Sequence, residues 1–224
     1  MVKYKLVLFL LSNKGGNPFL LSNVVKLGKR RDLLMNILKN KMGNFSQSIE
    51  KSLNEENYYA ALALAVTLPD ICIKLDETKA KGSKKPYIQW FEEYVGERYR
   101  ISLEGKGETI FLDGNNAYAI RCSFLHGGDG EIEEHSSSNL NLGYSKITLA
   151  FDKGKEIYLQ EQEVTKTFQS GILNTNELLI NVVEYCRYII EAVDNWVIKY
   201  QDCENVKSNA LKLIEINNFK DLTL

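Results

Sequence analysis

Arg121 and His126 stand five residues apart, and Gly127 and Gly128 follow at once. Arginine keeps its charge at any physiological pH and presents a planar fork of donors that matches phosphate oxygens. Histidine is the one side chain whose ordinary titration falls near neutrality. Together they offer much of what RNA cleavage through the neighbouring 2′-hydroxyl requires without a metal. That reaction needs a base for the hydroxyl, an acid for the departing oxygen and a cation beside the pentavalent phosphate. One imidazole does not easily fill both proton roles in one step. The other histidine, His135, lies in Glu133-Glu134-His135-Ser136 and reads as a solvent loop residue. A two-fold dimer would bring two copies of Arg121 and His126 to one cleft. The plainer alternative is structural. Arg121 would pair with Asp70, so that two charges in apolar surroundings satisfy each other, and His126 would only bond a carbonyl at a helix end. Tyr118 and Ser123, a turn or less from Arg121, are either helpers or packing and capping groups.

The elements that must position these residues read mainly as helices. Asp113-Gly114-Asn115-Asn116 opens a helix with Asn115 or Asn116 as its cap, and the helix runs through Ala117 to Leu125. Gly127 and Gly128 suit the left-handed turn that ends helices. On a continuing helix, side chains five apart point roughly 140° from one another, so the pair meets only if the helix stops there and the arginine bends toward its end. Asp70 falls on a long helix from Ser46 to Leu75, capped by Asn44 or Ser46. This helix is apolar nearly all round over Tyr58 to Val66, hence central, and is kinked or broken at Pro69. Pro86 to Val95 places Tyr87, Trp90, Phe91 and Tyr94 on one aromatic, core-facing side. Asn176 to Tyr200 carries Leu179, Val182, Cys186, Ile189, Val193, Trp196 and Tyr200 in steps of three and four. That stripe packs lengthwise against a helix of the same chain or of a second copy. Residues 204–216 form a weaker terminal helix. Ile147, Leu149 and Phe151 alternate with more polar residues, and Asp152-Lys153-Gly154-Lys155 separates them from Ile157 and Leu159, the pattern of a β-hairpin near 145–160. Glu104-Gly105-Lys106-Gly107 is a turn and not a phosphate-cradling loop, because no Gly-Lys-Ser/Thr follows.

The bulk properties fit a globular protein: 224 residues, 44% apolar and 25% charged, net charge −1. Charge is unevenly spread. Residues 1–43 hold nine Lys and Arg against the single acid Asp32, a balance of +8, which leaves −9 on residues 44–224. The expected organisation is a basic arm over 1–43, with a short helix from Lys29 to Met42, followed by a helical domain over 44–224. A hairpin joining the repeated Phe-Leu-Leu-Ser-Asn at 9–13 and 19–23 is compatible with the turn residues between them. The four cysteines lack the C-x-x-C spacing of zinc or redox sites, and Cys72, Cys122 and Cys186 sit in apolar patterns. Reduced buried thiols, a cytoplasmic setting, no metal, no cofactor and no membrane association are the corresponding expectations.

Arg121-Cys122-Ser123-Phe124-Leu125-His126 resembles the Arg-x4-His motif of HEPN domains (higher eukaryotes and prokaryotes nucleotide-binding). Leu68-Pro69-Asp70-Ile71-Cys72, Trp90-Phe91-Glu92-Glu93-Tyr94, Tyr118-Ala119-Ile120 and the Cys186 to Trp196 helix are similar to pieces of a bacterial group of HEPN-like proteins, a likeness covering about residues 44–200. The resemblance implies a helical bundle that dimerises with its motifs facing across the interface. It also implies metal-independent endoribonuclease activity with Arg121 and His126 catalytic, in toxin–antitoxin or phage-defence systems with an antitoxin or regulatory protein as partner. The sequence departs from the commoner pattern at Cys122, where a polar Asn, Asp or His often follows the arginine. It departs again at Gly128, where some antitoxin-regulated members carry a tyrosine. Some relatives lack catalysis, so the alternative implied is an inactive helical module that binds nucleotide, RNA or a protein partner.

Overall fold

The computed structural model describes residues 37–76, 84–103, 107–128, 146–151 and 177–216, and these are mainly helical. Helix α1 is described over residues 37–54 and crosses the expected boundary between 43 and 44 without a break. Leu38, Met42, Ile49 and Leu53 are buried in the core, so the end of the expected basic arm belongs to the helical body. Both strands of the expected N-terminal hairpin lie outside the described residues.

The single helix expected from Ser46 to Leu75 is two helices. α1 ends in a reversal at Glu56, whose φ is 59°. The Asn57 N–H donates to the Ser52 carbonyl at 2.8 Å and the Glu56 N–H to the Leu53 carbonyl at 3.1 Å. This is the paired closure usually built around a left-handed glycine. A glutamate at that position gives no sequence signal for a stop. Asn57 then caps helix α2, Tyr58–Leu75, its side chain accepting from the Ala60 N–H. Pro69 does not break α2, which continues to Leu75. Just before the proline, the Tyr87 hydroxyl donates to the Val66 carbonyl at 3.3 Å and the Thr67 hydroxyl to the Leu64 carbonyl at 2.8 Å. Among the described residues, α2 alone is long and apolar enough by composition to cross a membrane. Its Leu62, Ala65, Val66, Leu68 and Cys72 are instead buried in the core.

Helix α3, Lys84–Tyr94, carries the expected aromatic face: Tyr87, Trp90 and Phe91 are fully buried and Tyr94 half-buried. A 3₁₀ turn, Gly96–Tyr99, leads into strand β1, Arg100–Leu103, which pairs antiparallel with β2, Gly107–Ile110. The strands flanking the expected 104–107 turn are four residues each, too short to register as alternation. Helix α4, Gly114–Cys122, is capped by Asp113, whose side chain accepts from the Asn116 N–H at 2.8 Å, not by Asn115 or Asn116.

Strand β3, Lys146–Ala150, pairs parallel with β4, Glu177–Asn181. The hairpin partner expected at Ile157 and Leu159 lies outside the described residues. β4 corrects the expected helix start: residues 177–181 are extended, Leu179 is on a strand, and helix α5 spans Val182–Tyr200. The Asn181 side chain caps α5 by accepting from the Val183 and Glu184 N–H groups. Cys186, Ile189, Val193 and Trp196 of α5 are buried in the core, and α5 packs against α2 of the same chain. The stripe is therefore an intramolecular seam and is not available as a dimer seam. Helix α6, Glu204–Ala210, closes the end of α2, with the Asn209 amide donating to the Leu75 carbonyl at 3.0 Å.

The start of α4 is fixed from α3. Glu92 Oε1 accepts from the Gly114 N–H at 2.6 Å while its Oε2 accepts from Arg100 at 3.0 Å. A Cβ on Gly114 would lie 2.7 Å from the Ile88 carbonyl oxygen, so only glycine permits this approach. Gly114→Ala should lower stability by roughly 1–3 kcal/mol, read as a shift in urea midpoint, because backbone must move to admit the methyl. An unchanged midpoint would contradict the close approach.

Burial, with the Glu50 carboxylate adding to it, pushes the Cys186 thiol up to about 12 from an ordinary 9.0. The unfolded chain thus releases this proton near 9 and the folded chain near 12. Stability is unaffected below pH 9 and falls as pH rises through that window, where the unfolded state binds fewer protons. Cys186→Val should show a shallower loss of urea midpoint between pH 9 and pH 11 than the wild type.

Candidate functional site

Arg121 lies in the last turn of α4 and His126 in the turn that follows. Residues Ser123–Gly127 form one π turn in place of the α-helix expected to run to Leu125. The Gly128 N–H donates to the Ser123 carbonyl at 2.8 Å, five residues back, and Gly128 closes the turn at φ 70°. The left-handed role expected of the glycine pair falls to Gly128. The wider turn aligns residues five apart, which an α-helix would splay. His126 accordingly comes back toward Arg121, with Nη1 to Nε2 at 3.3 Å. A guanidinium only donates, so Nε2 accepts in this contact and the imidazole proton is assigned to Nδ1.

The other side of Arg121 meets α2. Its Nε donates to Asp70 Oδ2 at 3.0 Å, with side-chain exposures of 19% and 26%. Arg121 Nη1 also lies 3.7 Å from Cys122 Sγ. Burial opposes the arginine charge, but the Asp70 carboxylate and Cys122 more than offset it and hold the guanidinium above its ordinary value. Among the described residues Nη2 carries no hydrogen bond. His126 is exposed.

A layer of tyrosines supports the pair. The Tyr118 ring lies 5.8 Å from the Arg121 guanidinium carbon and 5.9 Å from Lys84 Nζ, within reach of cation–π attraction. Its edge meets Tyr87 at 5.5 Å between centroids. Burial first, then Tyr185, raises the Tyr87 hydroxyl well above its ordinary value, so it stays protonated and can donate to α2.

The fold therefore brings Asp70, Tyr118, Arg121 and His126 together. Ser123 is buried, and its carbonyl closes the π turn that carries His126. His135 lies outside the described residues. Two residues that the spacing argument passed over belong here. Lys84 adds a second cation beside Tyr118, and Glu92 fixes the start of α4. Lys84 stands in no motif, and Glu92 lies in the aromatic stretch Trp90 to Tyr94 without any spacing that links it to Gly114, so the folded positions of α3 and α4 reveal both roles. Among the described residues no group of three or more His, Cys, Asp and Glu side chains is placed to hold a metal ion. Comparison with protein-family models, curated proteins and solved structures finds no match to this chain.

Asp70→Ala should cost roughly 1.5–3 kcal/mol, because it strands a half-buried guanidinium, while Asp70→Asn keeps an acceptor and costs less. In a double-mutant cycle with Arg121→Ala the losses should fall short of additive by about 0.5–3 kcal/mol. Additive urea-denaturation energies would show that the two side chains do not act together.

Proposed function

We propose that this chain is a metal-independent endoribonuclease of HEPN type that works as a homodimer. The observation that supports it is the 3.3 Å approach of Arg121 to His126 on a π turn, with the imidazole exposed and the arginine anchored from behind by Asp70. In this reading the phosphate oxygens of a bound strand take the donors of Nη1 and Nη2, and Nε2 of His126 is freed. Nε2 accepts the 2′-hydroxyl proton as that oxygen attacks phosphorus. The imidazolium of the second copy gives its proton to the departing 5′-oxygen, and the product ends in a 2′,3′-cyclic phosphate. Arg121 stabilises the charge that builds on the phosphorane oxygens. Asp70 and Tyr118 hold the guanidinium in place. The family likeness extends the proposal to a cytoplasmic toxin–antitoxin or phage-defence role, with an antitoxin or regulatory protein as partner.

A second reading has one observation in its favour. Nε and Nη1 of Arg121 are already engaged within the chain, which suits an inactive module that binds nucleotide, RNA or a protein partner.

Purified protein incubated with single-stranded RNA and excess chelator should yield cyclic-phosphate ends. His126→Ala should lower the rate by about 10²-fold or more with the thermal midpoint unchanged, because the side chain is exposed. Cleavage that survives His126→Ala would reject the nuclease, and intact RNA with saturable binding would select the second reading.

A further inference from the structure

Two aromatic pairs stand at the start of α2. Tyr59 is 81% exposed, yet its ring lies near-parallel to Phe124, 14° between planes and 6.4 Å between centroids. Phe124 belongs to the π turn itself, three residues after Arg121 and two before His126. Beside it, half-buried Tyr58 stacks on Phe151 at 4.6 Å and 18°, and Phe151 is 60% exposed.

This chain buries Trp90, Trp196, Tyr87, Tyr185 and Phe91 completely, so an aromatic ring left in solvent next to the candidate site is not a shortage of core. A flat ring with a fixed plane and an open surface suits a nucleobase, since every base offers a π-face whatever its sequence. Three residues of chain span at most roughly 10 Å, so Phe124, which backs the platform, starts within that reach of the cation that would hold a phosphate.

We propose that Tyr59, backed by Phe124, is a stacking platform for a base of single-stranded RNA whose neighbouring phosphate lies at Arg121 and His126. This rests on the RNA reading of the site.

The test uses a fluorescent single-stranded 2′-O-methyl RNA, which keeps the bases and lacks the attacking hydroxyl, with binding read by anisotropy. Tyr59→Ala should weaken binding about tenfold or more, and Tyr59→Trp should restore it. A 2-aminopurine in the strand should be quenched by the wild type and not by Tyr59→Ala. Circular dichroism melting serves as the control for folding, and the exposed Tyr59 predicts no change there. If the wild type binds and Tyr59→Ala binds within about twofold of it, the platform is overturned, whatever cleavage does. If the strand binds through Tyr59 but natural RNA stays intact, the platform holds and the nuclease fails. If the wild type does not bind at all, both are overturned. A Tyr59→Ala protein that changes only its sedimentation behaviour would assign the ring to a protein contact and reject the proposal.

Discussion

A half-buried arginine must have its charge met, and that constraint organises this molecule. Arg121 is met from α2 by Asp70 and from the π turn by His126, so one guanidinium joins the central helix to the element that follows α4. The pair is a minor source of stability. A hydrogen-bonded charge contributes a few kcal/mol at most, whereas each large apolar side chain fully buried contributes roughly 1.5–3 kcal/mol, and this core holds many. What the ion pair supplies is position. Apolar packing of α4 on α3 is tolerant of small rotations, but a 3.0 Å bond from Nε to one carboxylate oxygen is not.

That position depends on a short series of local choices. Glu92 and the missing Cβ of Gly114 set where α4 starts. Asp113 caps it, and eight residues later Arg121 is at its last turn. Gly128 allows the left-handed residue that closes the π turn, and the π turn, not the α-helix, brings a residue five positions on back to the same side. The protonated Tyr87, bonded to the Val66 carbonyl one turn before Asp70, ties α3 to the same stretch of α2 that supplies the carboxylate. Asp70 of α2 and Tyr118 of α4 thus meet one guanidinium, and Tyr87 of α3 supports Tyr118.

The sequence made the site more legible than its surroundings. Arg121 and Asp70 were readable as possible partners because charge in an apolar pattern has few ways to be satisfied, and their contact is the structural alternative that the sequence left open beside catalysis. The route by which His126 reaches Arg121 was not readable, because π turns have no composition signal and the α-helical angle argued against a meeting. Helix existence was legible from three-and-four spacing, as in Cys186, Ile189, Val193 and Trp196. Helix ends were not. The stop at Glu56 uses a residue that rarely adopts its conformation, Pro69 proved compatible with a helix that neighbouring side chains support, and the five residues of β4 are apolar enough to read as more of α5. Tyr59 was hidden in a run apolar all round, where exposure cannot be assigned until a neighbour is known.

The polarity of the Arg121–His126 contact bears on the proposed chemistry. A cation donating to Nε2 occupies the lone pair that a general base must offer. The two functions of the pair are therefore mutually exclusive until something else takes the guanidinium donors. A phosphate oxygen is a stronger acceptor for a guanidinium than a neutral imidazole, because the bond is charge-assisted at both ends. Under the proposed reaction, binding of the strand would itself exchange Arg121 from His126 to phosphate and release the base beside the bond to be cleaved. Asp70 makes that exchange feasible, since it keeps Nε fixed while Nη1 and Nη2 change partners, and the arginine need not leave its place for the imidazole to become free.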